Sequence, residues 1–397
     1  MKIVQINATC GVGSTGKICV EISKLLTEKG IENYILHSSQ TNGYDLGIRY
    51  ADRRYIRLQA GKSRVLGNYG FNSKKATERI IAELERIKPD LVHLHNIHGH
   101  DCHLGMLFRY FKEKKIKLVW TFHDCWAFTA YCPHFVMADC DRWRTGCENC
   151  LQYRDHSFFF DRSRTLYQKK KDLFTGLDLT VVTPSRWLAD LVKQSFLKDY
   201  PVIVINNGID LSVFEPKDYG FRDKYGIPED KKILLGVAFD WGVRKGLDVF
   251  LKLSRRLDPN LYRFVLVGTD HTIDQQLPSS ILSIHRTQNQ QELAGIYSAA
   301  DLFINPTRED NYPTVNMESI ACGTPVLTFR TGGSPECMDE TCGAVVDCDD
   351  VDALVREIRR ICEGQPYSME ACMKKAAEFD ARSKYREYLS LYEDVLR

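Results

Sequence analysis

No stretch of this sequence approaches the roughly 18 consecutive apolar residues that a membrane-spanning helix needs. Net charge is scarce too: 54 Lys and Arg against 52 Asp and Glu leave +2 at pH 7. No global field therefore argues for nucleic acid as a partner, and any basic site must be local. Internal repeats and low-complexity tracts are missing, which argues against solenoids and disordered arms. The opening MKIVQINATC has one Lys and no apolar run after it, so it reads as a strand and not as a secretory leader. The expectation is a protein made and kept in the cytoplasm.

What is present is enough chain for two cores. A length of 397 residues suits two domains of about 150–200 residues each. Short, nearly continuous apolar runs at 2–8, 33–37, 90–95, 117–122, 179–183 and 202–205 alternate with helix-periodic stretches such as 17–29 and 74–88. A Pro/Gly-punctuated linker at 207–228 follows, and the pattern restarts at 232–238, 263–268, 281–285, 302–305, 325–329 and 344–346. Helices are predicted near 246–257, 290–299, 314–322 and 351–363, and a last helical region spans about 368–396. Strands of this kind belong to parallel sheets covered on both faces. The predicted fold class is α/β, with two doubly wound Rossmann-like domains at 1–206 and 207–380 facing across a cleft. A C-terminal helix at about 381–397 returns to the first domain. Ligands of such sheets bind at the carboxyl ends of the strands.

Four motifs fall at those ends. Gly11-Val12-Gly13-Ser14-Thr15-Gly16-Lys17 joins the first strand to its helix, where glycines let backbone N–H groups approach a phosphate. It matches most of a nucleotide-triphosphate loop, but Ile18 stands where a Mg²⁺-holding hydroxyl belongs. No acid closes the second strand either, so ATPase and dehydrogenase readings weaken. The segment 306–325, PTREDNYPTVNMESIACGTP, follows a strand and carries Glu309, Asp310, Asn311, Tyr312, Pro313, Thr314, Val315 and Glu318. Pro313 suits a helix start, the N–H groups of Thr314 and Val315 then face an anion, and Glu318 sits one turn on to accept from hydroxyls. Arg244 and Lys245 follow another strand, as fixed cations for a leaving diphosphate. His123-Asp124 ends a first-domain strand. His123 there can donate to a reacting sugar, or pair with Asp124 as a core residue.

Taken in order, these elements resemble the family-4 retaining glycosyltransferases of the GT-B fold. Glu309 to Glu318 resembles that family's E-x7-E motif, Ala321–Val326 its following turn, and Asn207-Gly208-Ile209-Asp210 with Phe214 its interdomain junction. Gly11–Gly16 and His123 match its phosphate loop and first-domain His. HDCWAFT, GSTGK and EDN-x-P are similar to a bacterial exopolysaccharide, colanic-acid and capsule subgroup. Two departures stand out. Counting back from Glu318 puts Asp310, not Glu309, at the first acid, so which of the two contacts the donor sugar stays open. Asp240 occupies the place of the family's Arg. The resemblance implies a hexosyltransferase that needs no metal for catalysis and uses a UDP-, GDP- or ADP-sugar. Gly13, Ser14, Thr15, Gly16 and Arg244 would bind the donor. His123, Lys245, Glu309 or Asp310, and Glu318 would carry the reaction. His95 and Asn96 would line the acceptor side, facing a glycan or lipid-linked glycan. A non-catalytic sugar-nucleotide binder and a P-loop NTPase remain as alternatives.

Other features stand apart from that reading. Cys132, Cys140, Cys147 and Cys150 cluster in one loop with a single C-x-x-C; a structural Zn²⁺, disulfides and free thiols all stay open. His93, His95, His98, His100 and His103 crowd one strand end, as a polar wall or a metal cluster. The triplets Asp139–Asp141 and Asp347–Asp349 suggest a metal-held diphosphate or, for the second, a helix cap. Phe158-Phe159-Phe160 beside Arg162, Arg164 and Lys169-Lys170-Lys171 suits either an anionic membrane surface, reached peripherally from the cytoplasm, or a buried aromatic cluster with a solvated basic face.

Overall fold

The computed structural model describes residues 1–397. The chain divides into two compact units, Met1–Asn206 with Lys384–Arg397, and Asn207–Ser383. No helix is long and apolar enough to cross a membrane.

In the first unit β1 (Lys2–Cys10), α1 (Gly13–Glu28), β2 (Glu32–Thr41), β3 (Gly47–Arg49), α2 (Arg53–Leu66) and α3 (Lys74–Ile87) are followed by β4 (Leu91–Leu94) and α4 (Leu104–Lys114). Then come β5 (Lys117–Thr121), α5 (Tyr153–His156), α6 (Ser163–Phe174), β6 (Leu179–Thr183), α7 (Arg186–Val192) and β7 (Val202–Val204). The seven strands pair in the order β3-β2-β1-β4-β5-β6-β7, and every pairing is parallel. Central strands are buried on both faces (Ile3, Val4, Ile6, Leu91, Val92 and Leu94 are all fully buried, as are the polar Gln5 and His93), because helices cover each side.

The second unit repeats the design. It runs α8 (Phe221–Tyr225), β8 (Lys232–Val237), α9 (Leu247–Arg256), β9 (Tyr262–Val267), α10 (His271–Asp274), β10 (Ile281–Ile284) and α11 (Gln290–Ala299). It continues with β11 (Leu302–Asn305), α12 (Thr314–Ala321), β12 (Val326–Phe329), β13 (Gly343–Val346), α13 (Val351–Gly364) and α14 (Met369–Ala376). Six parallel strands pair as β10-β9-β8-β11-β12-β13. The last helix, α15 (Ala381–Leu396), carries most of its length in the first unit. There the Tyr388 and Thr121 hydroxyls lie 3.0 Å apart, and the Tyr392 hydroxyl reaches Nδ1 of His93 at 2.6 Å.

Several boundaries differ from the sequence expectation. α1 starts at Gly13, not near Lys17, so the glycine motif forms its first turn. The predicted helical region 368–396 is two helices, broken by a 3-10 turn at Ala377–Phe379. The elements β3, α2 and α4 were not foreseen. Each sheet reverses its strand order once: between β1 and β4 in the first, and between β8 and β11 in the second. Helices leave on opposite faces at these switch points, so a crevice opens at the carboxyl ends of those strands.

Candidate active site

In the second unit, the loops leaving β8 and β11 are the two that bound the switch point. After β8 the chain makes a 3-10 turn, Val243–Lys245, and reaches Gly246 at φ 76°. A Cβ at Gly246 would sit 2.5 Å from the Pro306 carbonyl oxygen, so only glycine lets the two loops touch. The contact is then sewn with hydrogen bonds. The Arg308 amide donates to the Arg244 carbonyl at 2.8 Å, and the Arg244 guanidinium donates to the Glu309 carbonyl at 3.3 Å. Lys245 Nζ meets Asp310 Oδ2 at 2.5 Å, with both side chains about one-fifth exposed. Asp310 is fixed from behind as well. Gly332, at φ 55°, presses so close to the Asp310 carbonyl that a Cβ there would be 1.8 Å from its oxygen.

α12 begins directly after this loop. Pro313 is its N-cap, one position earlier than a first-turn placement, and no side chain caps the helix. The amides of the half-exposed Thr314 and Val315 therefore open the helix beside the Lys245–Asp310 pair, with the helix dipole adding positive potential. One turn on, the partly exposed Glu318 accepts from the Tyr297 hydroxyl at 3.2 Å. Asn311 and Tyr312 are buried beneath the loop, as is Glu309. The arrangement places an ammonium, a helix N-terminus and two carboxylates (Asp310 and Glu318) at one carboxyl edge. That is what a diphosphate with polyhydroxylated groups on both sides requires.

The first unit offers its own switch-point edge. The α1 N-terminus carries Gly13 and Ser14 exposed and Thr15 half-buried, again with no side-chain cap. Gly16 is buried where a Cβ would lie 2.6 Å from Thr9 Oγ1. Asn7 ties this turn to the neighbouring strand end: its Nδ2 donates to the Thr9 carbonyl at 2.8 Å, and its Oδ1 accepts from the Asn96 amide at 3.1 Å. Ile18 is buried in the core-facing side of α1, which leaves the P-loop pattern without its Mg²⁺ hydroxyl.

His95 was expected on the acceptor wall, but only Asn96 is partly exposed; the His95 ring is buried and spans Gln5 at 3.1 Å and His123 at 3.2 Å. It positions His123 and does not face solvent. Burial, only partly offset by Asp124, pushes His123 down to about 4, so its imidazole is neutral near pH 7. Asp124 does not pair with His123, as the core reading had it, but with His98 at 3.0 Å. Burial alone would raise this carboxyl, yet His98 and the Trp126 amide hold it near 2. At this edge His93 is engaged by Tyr392 and Thr121, His95 by Gln5 and His123, and His98 by Asp124, while His100 Nδ1 is buried without a partner. The side chains that bring three metal-ligating atoms within 4.8 Å of one another are His271, Asp274 and His285, on the second unit's surface.

Two further expectations change. Asp347–Asp349 do not cap α13, since Asp350 does so by accepting from the Ala353 amide. Asp349 instead joins Asp248 in gripping Arg308, at 2.6 and 2.8 Å. Arg308, 9% exposed, also donates to the Val243 carbonyl and locks both active-site loops to the unit. Sequence reasoning passed over it because its partners lie 60 and 41 residues away. Lys170, read as part of a solvated basic face, is fully buried.

The family model described as Glycosyltransferase Family 4 matches residues 15–213, and that described as Glycosyl transferases group 1 matches 231–364. The putative colanic acid biosynthesis glycosyl transferase WcaC of Escherichia coli (strain K12) is 22% identical over 429 aligned residues, covering 100% of both chains. The D-inositol 3-phosphate glycosyltransferase of Mycolicibacterium smegmatis is 29% identical over 196 residues, 44% of this chain and 43% of its own. Sucrose-phosphate synthase from Thermosynechococcus elongatus has the same fold at TM-score 0.72 and 18% identity, covering 99% of this chain and 98% of that one. Anabaena HepE, solved in complex with UDP, matches at TM-score 0.69 and 14% identity over 99% and 100% of the two chains.

Proposed function

Because this chain belongs to glycosyltransferase family 4 and is a hexosyl-transferring enzyme, we propose that it moves a sugar, with retention, from a nucleoside diphosphate donor to a glycan or polyprenyl-linked glycan of a bacterial surface polysaccharide. The observation that carries this reading is the Lys245–Asp310 pair at 2.5 Å beside the uncapped start of α12. Lys245, Arg244 and the Thr314 and Val315 amides take the negative charge that builds on the departing diphosphate. Asp310 holds a hydroxyl of the donor sugar and Glu318 the ribose diol. The acceptor oxygen bonds to the anomeric carbon on the face the phosphate leaves, and a phosphate oxygen receives the acceptor's proton. The first unit's own carboxyl edge carries the amides of the α1 N-terminus and the neutral His123, held by His95 at 3.2 Å, as groups suited to polar ligands. A UDP-sugar is the donor to try first, since HepE was solved with UDP-glucose.

A lipid-linked acceptor is supported by one surface of the first unit. Phe158, Phe159 and Phe160 are 54%, 66% and 49% exposed. The Phe158 amide donates to the Arg64 carbonyl at 2.8 Å, which joins this loop to α2. Arg53, Arg54, Arg57, Lys62 and Arg64 of α2 are exposed, with no acid among its residues. Aromatic and cationic groups together suit an anionic bilayer.

The test is turnover of UDP-, GDP- and ADP-sugars with glycan and lipid-linked acceptors. Loss of transfer in both Lys245→Ala and Glu318→Ala is expected; full activity in both would remove the reading. A second reading, a sugar-nucleotide binder without catalysis, is favoured by the exposed Asp240 where the resemblance places an Arg. Tight donor binding with neither transfer nor donor hydrolysis would establish it.

A further inference from the structure

Between the 3-10 turn Trp126–Phe128 and α6, the chain from 129 to 162 forms only the turn Arg142–Arg144 and the four-residue α5. Loops beyond about 12–15 residues without secondary structure are uncommon in compact domains and need some other source of order. Hydrophobic burial supplies part of it: Phe135 and Trp143 stack at 5.1 Å, both buried. However, Val136, Met137 and Leu151 of the same segment are turned outward.

Cys132, Cys140, Cys147 and Cys150 all line a single cavity in this segment. Cys132 and Cys147 form its buried side, and Cys140 and Cys150 its half-buried side. The backbone is bent to bring them there. Asp139 and Asn149, at φ 45° and 49°, each take the left-handed conformation immediately before a cysteine. The Arg142 guanidinium donates to the Glu148 and Asn149 carbonyls and ties down the Cys147–Cys150 turn. As neutral thiols these groups gain little from convergence, because S–H is a weak donor. As thiolates they repel one another and need a cation among them.

A second observation lies beside the cavity. Lys170 of α6 is fully buried, its Nζ 3.4 Å over the Trp126 ring and donating to the Trp126 and Thr129 carbonyls at 2.7 and 3.0 Å. Burial drives Lys170 well below its ordinary range, and the groups that oppose the shift are Cys147, Cys132 and Asp124. One divalent cation bound by four thiolates leaves a local charge of about −2, which favours the ammonium form beside it.

We propose that Cys132, Cys140, Cys147 and Cys150 hold one structural Zn²⁺ that fixes the segment 129–162. The ligand set C-x7-C-x6-C-x2-C is all sulfur, which selects zinc over harder cations. On binding, the four thiols release their protons to water, and the sulfurs draw in from the cavity walls to Zn–S distances of about 2.3 Å. The exposed trio His271, Asp274 and His285 is the competing site. It offers one carboxylate already engaged by His285 and Ser283, both at 2.5 Å, and an imidazole that is 93% exposed.

The test is elemental analysis of the full-length protein purified under reducing conditions, with the trio variant His271→Ala/His285→Ala alongside. About one zinc per chain is expected in both, released stoichiometrically by a mercurial that titrates thiols. Cys147→Ser/Cys150→Ser is expected to lose the zinc and to be cut by protease within 129–162. Should that variant fail to fold, Co²⁺-grown wild-type protein replaces it. Intense tetrahedral d–d bands with sulfur-to-cobalt charge transfer would support the site. Three results would overturn it: a metal-free native protein with four alkylatable thiols or two disulfides, iron in place of zinc, or zinc lost only with the histidine trio.

Discussion

At the scale of single residues, Asp310 and Glu309 are neighbours with opposite surroundings. Asp310 directs its carboxylate at Lys245, whereas Glu309 is 5% exposed and its carbonyl accepts from Arg244 and Thr307. Asp310→Ala should therefore lower kcat/KM for donor by about 10²–10³, the usual scale for one charge-stabilising group, while Glu309→Gln lowers it far less. Equal losses in steady-state assays would place the sugar contact elsewhere. Arg308 acts on the same loop without needing to touch substrate. Arg308→Ala removes charged hydrogen bonds to Asp248 and Asp349 worth about 1.5–3 kcal/mol. It should lower the melting temperature and raise the donor KM, because the Val243–Lys245 turn loses its clamp. A variant with unchanged melting temperature and KM would show the clasp to be idle.

At the scale of elements, α12 buries Met317, Ile320 and Ala321 in the core and is held by buried polar groups as well. Asn316 is fully buried, accepting from Asn305 at 2.7 Å and donating to the Ser334 carbonyl and hydroxyl at 3.2 and 3.1 Å. Asn316→Leu should cost about 1–3 kcal/mol for the polar groups left unsatisfied, measurable by denaturant unfolding. It should also weaken donor binding, since the helix N-terminus is no longer held in place; an unaltered donor affinity would show that α12 needs no such tether. The strands that carry these loops were legible because buried parallel strands are short apolar runs, and β8, β9 and β11 fall where those runs are. The motif from 306 to 325 was legible because proline, acids and a helix start follow a strand in one local string. α2 was not legible: Ser63 is its only buried residue, so no apolar stripe repeats at helical spacing. The Asp124–His98 pair, the Arg308 clasp and the burial of Lys170 were hidden for another reason. Each depends on residues that meet only after the sheet has formed, and spacing along the chain carries no trace of them.

At the scale of the whole molecule, ionisable load is distributed unevenly. His37, His100, His123 and His156 all lie in the first unit, and burial pushes each of them down to about 4. An unfolded chain titrates its histidines near 6.5. Above that pH neither state is charged at these sites, and the stabilisation is complete. As pH falls toward 4 the unfolded chain gains protons that the folded unit refuses, so stability drains away across that window. His98 opposes the trend, since Asp124 overcomes its burial and holds it above its ordinary value. The second unit keeps only His271 and His285, both at its surface. Near pH 5 amide exchange should therefore quicken in the first unit before the second; simultaneous loss of protection in both would contradict the assignment. The return of α15 has a consequence for synthesis. His93 and Thr121, in the middle of the first sheet, meet each other at 2.8 Å and find their remaining partners, the Tyr392 and Tyr388 hydroxyls, on α15. α15 follows the whole second unit along the chain, so during synthesis the first unit gains these two contacts only once residues 207–383 have been made.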